Sequence, residues 1–156
     1  YVYSGDPINE SDVTGRITVS GGKPNAAERR LCAKWWWSCL VWARVSSDAY
    51  GWSTAKYGNN TNKREAARHI FWQAMLVLQL GFEWALSWAT AHEGNDLSRD
   101  SVRDQANNII GRRLGLSLGW FWAIQSYYIQ VMQVRYRVAR IIASGNYAKL
   151  YTGKLR

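Results

Sequence analysis

Residues 62–80 read NKREAARHIFWQAMLVLQL and are followed by Gly81. Within this stretch His69, Trp72, Gln73 and Leu76 fall at the three-and-four spacing that lines up one face of a helix, and that strip is expected to face the interior. The spacing predicts a helix from about Asn62 to Leu80, ended by the glycine. Working outward, the next helix is expected from Gly81 or Phe82 to Glu93, with residues 94–98 as a turn. A fourth starts near Ser98 or Asp100 and runs to Leu114, and a fifth runs from Leu118 to Ala143, closed by Ser144-Gly145-Asn146. Upstream, a Trp-rich helix is expected from Ala26 to about Tyr50. It is apolar on nearly every face, which places it centrally, and Gly51 and then Gly58-Asn59-Asn60 end it.

Residues 1–25 hold Gly5, Pro7, Gly15, Gly21, Gly22 and Pro24, with an alternating run Arg16-Ile17-Thr18-Val19. They read as an extended arm with one short strand, leading from something upstream. The chain begins at Tyr1 without a charged-then-apolar leader, so it is expected to be a mature or excised piece. The expected fold class is all-α: a single compact domain of about five helices, residues 26–156, behind an N-terminal arm.

Composition agrees with one domain. The chain has 156 residues, 47% hydrophobic and 20% charged, too apolar for a disordered tail, and its two prolines exclude collagen-like or proline-rich classes. Tryptophan and tyrosine, 10 and 9, far outnumber the 3 phenylalanines. The formal charge is +9. It is unevenly spread: residues 1–30 balance four bases against four acids, whereas Arg113 onward carries seven bases and no acid. A basic, Trp-rich surface suits a phosphate-bearing partner or a bilayer interface, or is a solvated face that serves solubility.

Two segments invite a membrane reading. Leu114–Val134 has no charged side chain, and Ile70–His92 has Glu83 as its only acid; roughly 20 apolar residues cross a bilayer. Against this, the first includes Gly115, Ser117, Gly119, Gln125, Ser126, Gln130 and Gln133, and mean hydropathy is −0.33. A buried helix of a bundle is the expected reading, with conditional insertion as the alternative.

Cys32 and Cys39 are the only cysteines. Seven positions on a continuous helix rise about 10.5 Å, beyond the roughly 7 Å reach of a disulfide. A bridge therefore requires the helix to break; two buried thiols are the other outcome.

Polar groups inside an apolar background are the candidates for chemistry. Arg68 and His69 precede Trp72; Trp84, Trp88 and His92 form a strip that ends beside Glu93. Asp100, Asp104, Asn107, Asn108, Gly111 and Arg112 fall mostly on one face, opposite Val102, Ala106, Ile109 and Ile110. The glycine in that face admits close approach of a backbone or ligand. Taken singly, a histidine on an apolar strip is more often a hydrogen-bonded core residue, and Asp104, Asn107 and Asn108 suit helix-terminal and loop-bonding roles. Short connections would make these helices antiparallel neighbours, bringing His69, His92, Glu93, Asp104 and Asn108 together. No Ser-His-Asp signature, phosphate-binding glycine loop or Cys/His zinc spacing occurs. The set suits metal-free acid/base hydrolysis, or a divalent-metal site with His69, His92 and Asp104 as candidate ligands. Arg68 and Arg112 would hold an anion.

The order Arg68-His69-x-x-Trp72, Ala91-His92-Glu93, Asp104-x-x-Asn107-Asn108-x-x-Gly111-Arg112-x-Leu114-Gly115 and Ala143-Ser144-Gly145 resembles a domain at the C-terminal end of secreted bacterial polymorphic toxins and wall-associated proteins. The likeness covers about residues 30–150. Many members carry paired cysteines ahead of the Arg-His motif, where Cys32 and Cys39 stand. Two departures are the Val102-Arg103-Asp104-Gln105-Ala106 segment, where members often have Met-Asp-Leu, and the abundance of tryptophan. The resemblance implies export and an antagonistic role, and brings no settled reaction.

The combined expectation is a C-terminal effector domain that hydrolyses a phosphate-containing envelope or nucleic-acid substrate. His92 and Glu93 would act as acid and base, His69 and Asp104 as partners or metal ligands. Asn107, Asn108, Arg68, Arg112 and Trp72 would bind substrate. The expected partners are an immunity protein, a larger secreted parent and an anionic envelope or lipid phosphate, with nucleic acid ranked behind. The alternatives are a non-enzymatic pore former and a basic interaction module.

Overall fold

A computed structural model describes residues 24–94 and 98–149. The proposed strand at Arg16–Val19 and most of the arm lie outside the described residues. Where the description begins, Asn25 starts the first helix through a reciprocal capping box. Its side chain accepts from the Glu28 backbone N–H at 2.9 Å, and its own N–H donates to Glu28 Oε2 at 2.7 Å.

Helix α1 (Ala26–Lys34) ends at Trp35, whose φ of −137° and ψ of 65° are not helical, and α2 (Trp36–Tyr57) starts anew. The single Trp-rich helix expected here is thus two. The break brings the Cα atoms of Cys32 and Cys39 to 4.8 Å, and the two form a disulfide. Helix α2 passes through Gly51, a helical glycine with room around it, and stops at Gly58.

Helix α3 (Thr61–Leu80), not the Trp-rich segment, is the central element: it packs against α2, α4, α5 and α6. Every residue from Ala66 to Leu78 except Arg68 is buried. Full burial of side chains such as Ile70, Phe71, Met75 and Leu76 contributes about 1.5–3 kcal/mol each. Gly81, at φ 91°, turns the chain into α4 (Phe82–Glu93).

Helix α5 (Arg99–Ala123) is longer than expected. It runs through the boundary placed at residues 114–118 and kinks at Gly119, φ 72°, before α6 (Tyr127–Ser144). Gln130 tethers the corner by donating to the carbonyls of Trp122, Ala123 and Gln125, each at 3.0 Å. These six helices make an all-α domain, with no strand among the described residues.

The α3–α5 contact sets the site. Gly111 faces Ile70 and Gly115 faces Val77, so the two helices run parallel, with α4 returning the chain between them. A Cβ on Gly111 would lie 2.5 Å from the Ile70 carbonyl oxygen, and one on Gly115 would lie 2.6 Å from Val77 Cβ. The close approach expected at Gly111 is therefore that of the α3 backbone. It turns the polar face of α5 inward: Asn107, Asn108 and Arg112 are buried, while Val102 and Ile109 point out.

Candidate functional site

Four helices contribute. The middle of α3 supplies Arg68, His69, Trp72 and Gln73; the last turn of α4 supplies His92 and Glu93. The first half of α5 supplies Ser101, Asp104, Asn108 and Arg112, and the start of α1 supplies Asn25 and Glu28.

His69 is buried with an oxygen near each ring nitrogen. Nδ1 is 3.0 Å from Asn108 Oδ1 and 3.9 Å from Glu93 Oε1; Nε2 is 3.4 Å from Asp104 Oδ2. Asn108 donates its Nδ2 to Glu93 Oε1 at 3.4 Å, which orients its carbonyl oxygen toward His69. Each ring nitrogen thus faces oxygen: a proton on Nε2 serves Asp104, while Nδ1 donates to Asn108 Oδ1 when the ring is charged and offers a lone pair to an ion when it is neutral.

His92 repeats the motif. Its Nδ1 lies 2.8 Å from Glu28 Oε1, so a proton held there leaves the lone pair on Nε2. Glu28 is only 3% exposed. Asn25 also ties α1 to the end of α4, donating to the carbonyls of Ala91 and His92 at 2.7 and 3.1 Å.

Burial acts to lower the His92 pKa, but the hydrogen bond and charge of Glu28, with the charge of Glu93, outweigh it and raise the group above its ordinary value. Burial would likewise raise the Asp104 carboxyl. The hydrogen bonds and charges of His69 and Arg103 overcome that and hold it at about 2.

The remaining groups wall the cluster. Trp72 meets both histidines edge-on, with ring centroids 6.2 Å from His69 and 5.2 Å from His92. Its Nε1 is buried without a hydrogen-bond partner among the described residues, as is Arg68 Nε. Arg68 pairs with Glu65, and burial, then the neighbouring Arg64, lower its pKa. Glu93 accepts from Ser101 Oγ at 3.0 Å. A cleft of about 220 Å³ opens beside Glu93 and Asn108, lined also by Leu86, Ala89, Thr90 and Arg112. Arg112 donates to Gln73 Oε1 at 2.8 Å, and burial lowers its pKa.

Ligand atoms of His69, His92 and Glu93 all lie within 4.8 Å of one another. Glu93 thus joins the two histidines where Asp104 was expected, and Asp104 stands behind His69 at the opposite ring nitrogen. Asn107 is not at the site: it donates to the Ala148 carbonyl at 3.1 Å and accepts from the Ala148 N–H at 2.9 Å, pinning the segment after α6. The sequence reading missed Glu28, whose signal was the Asn25-x-x-Glu28 spacing of a capping box. It also missed Ser101 and Gln73 as supports.

Fold and cluster together define a class: a helical domain that sets paired histidine–carboxylate contacts at the edge of a cleft. The chain belongs to the family described as Domain of unknown function (DUF6973), whose model matches residues 29–135. That span holds the candidate ligands His69, His92 and Glu93 together with Asp104, Asn108 and Arg112, and begins one residue after Glu28. No curated protein and no solved structure matches the chain.

Proposed function

We propose that this domain is a divalent-metal-dependent hydrolase of a phosphate-bearing substrate, acting as the effector part of a secreted bacterial protein in antagonism between bacteria. The observation that carries the reading is the grouping of His69, His92 and Glu93 ligand atoms within 4.8 Å, with Asp104 behind one histidine and Glu28 behind the other. Carboxylates at the second nitrogen fix the tautomer of metal-binding histidines and increase their basicity. Two histidines and one carboxylate leave coordination positions open, as hydrolytic centres require.

In this reading His69 Nδ1, His92 Nε2 and Glu93 would hold the ion, with the Asn108 carbonyl oxygen completing or orienting the set. A divalent ion bound there would supply a polarised water and Lewis acidity toward a phosphoryl oxygen. Arg112, at the cleft wall, binds a non-reacting phosphate oxygen. Trp72 closes the apolar side, and Asp104 and Glu28 hold the imidazole protons.

The Cys32–Cys39 disulfide is at home in oxidising compartments and supports the export reading. Export of such an activity implies a neutralising immunity protein in the producing cell and a larger parent polypeptide for delivery. The pore-forming alternative has less support: among the described residues no helix is long and apolar enough to cross a membrane.

The test is hydrolysis of bis(p-nitrophenyl) phosphate by metal-stripped protein resupplied with Zn²⁺, Mn²⁺ or Mg²⁺. Turnover should depend on one of these ions and fall at least 100-fold in His92→Ala and Glu93→Gln. Turnover indifferent to chelator and to both substitutions, or absent with every ion, rejects the reading.

A further inference from the structure

Three helix corners lie at the end of the bundle away from His92 and Glu93, and each exposes aromatic surface. The α1–α2 corner carries Trp36, 67% exposed, and the α5–α6 corner carries Trp120 at 75%, with Phe121 and Ile124 also exposed. The α3–α4 corner carries exposed Phe82. Contacts place them together. Trp35 and Trp37 of the first corner pack edge-on against Trp84, just after Phe82, at 5.4 and 5.0 Å. Gln79, at the end of α3, bonds Gln130 at the α5–α6 corner.

We propose that this end docks on the interfacial layer of an anionic lipid bilayer without crossing it. Three arguments select a bilayer over a protein partner or a second copy. The most exposed rings, Trp36 and Trp120, stand on the tips of separate corners, and exposed Tyr128, Met132 and Tyr136 on α6 extend the apolar surface from the second of these. Two of the three corners carry a strongly exposed indole ring, which favours headgroup depth, and the Gly119 kink at φ 72° lies directly before exposed Trp120 and Phe121. The net charge of the whole chain, rather than of this end alone, also suits an anionic surface. No charge interrupts residues 114–134, and the chain carries +9 overall, attracting it to anionic lipid within roughly a Debye length.

Of the charges near this end, Lys34 stacks on Trp35 and Arg44 on Tyr127, while Asp48 accepts the Tyr127 hydroxyl, leaving Glu83 as the exposed acid.

The placement bears on the substrate. Asn108 and Leu118 are ten residues apart on α5, about 15 Å along its axis. With the corners in the headgroup layer, the cleft stands off the surface. The bilayer is then an attachment, with the near wall of the cleft at Leu86, one helical turn from Phe82, and Asn108 farther out. The docking inference does not depend on the hydrolytic reading.

The experiment is co-sedimentation of the whole chain with phosphatidylcholine vesicles containing 25% phosphatidylglycerol, or none, with tryptophan emission and dye release followed in parallel. Wild type should bind the anionic vesicles with a blue shift and without leakage. Trp120→Ser/Phe121→Ser should bind at least ten-fold more weakly with an unchanged melting temperature, and His92→Ala should bind as wild type. Absence of binding, binding unaffected by the double substitution, or dye release overturns the proposal. Loss of self-association in the double variant, without vesicle binding by wild type, assigns the face to a second copy and also overturns it.

Discussion

Glu28 and His92 are 64 residues apart in the chain and meet at 2.8 Å, Oε1 to Nδ1. The carboxylate is buried, while the imidazole side chain remains 47% exposed. Glu28 serves twice, capping α1 with Asn25 and orienting the histidine at the end of α4. The same residue thus couples the fold of the N-terminal helix to the tautomer at the candidate metal centre.

Glu28→Gln preserves size and part of the cap but removes the charge. Affinity for the activating ion should fall about 10- to 100-fold by calorimetry. The His92 titration midpoint, followed by its imidazole proton resonance, should move down, because Glu28 contributes most of what raises it, ahead of Glu93. Unchanged affinity and an unmoved midpoint would refute the orienting role.

Asp104 makes the metal-free fold acid-sensitive. Its folded pKa is depressed to about 2, so its stabilisation is complete above the unfolded carboxyl value and disappears as pH falls toward 2. The effect is worth about 2 kcal/mol at neutral pH. Urea midpoints of wild type should drop between pH 5 and pH 2, and Asp104→Asn should flatten that drop. His92 acts in the opposite sense. Its raised pKa stabilises below the ordinary histidine value, and that contribution is lost as pH rises through the folded value, weakened by its solvent exposure.

Gly111→Ala tests the helix contact beneath the site. The added Cβ meets the Ile70 carbonyl oxygen at 2.5 Å, so α3 and α5 must separate, at a cost of about 1–3 kcal/mol. Gly51→Ala is the matched control: α2 is helical there and nothing lies within 4 Å, so it should be neutral or stabilise by up to about 1 kcal/mol. Equal melting temperatures for the two variants would contradict the packing described.

Replacing Cys32 and Cys39 together by serine removes a short covalent loop at the α1–α2 corner. The chain-entropy model gives a loss of about 2.5 kcal/mol, read as a lower guanidinium midpoint. Reductant should produce the same shift in wild type and none in the double variant.

Much of the fold was legible because apolar spacing reports helices directly. The α3 and α4 boundaries fell within a residue or so of Asn62–Leu80 and Phe82–Glu93. The reading faltered where a helix continues through glycine, as at Gly51, or breaks without glycine or proline, as at Trp35. Neither outcome is set by the local residue: packing carries α2 past Gly51, and the covalent Cys32–Cys39 link accompanies the turn at Trp35. The chain between Leu114 and Val134 was read as a buried helix. It is instead a corner with exposed Leu116, Trp120, Phe121 and Tyr128, because Gly119 divides it.

By itself the sequence determined the helical class, the inward strip of His69, Trp72, Gln73 and Leu76, and the residues available for polar chemistry. It did so because periodicity and residue type are local properties of the chain. Which polar groups meet was decided only by the tertiary structure. Asn107 went to the Ala148 backbone, Asn108 to His69, Glu28 to His92, and Asp104 behind rather than beside the candidate ligands. Those choices depend on the parallel approach of α3 and α5 over Gly111 and Gly115, a contact between distant segments that neither segment specifies alone.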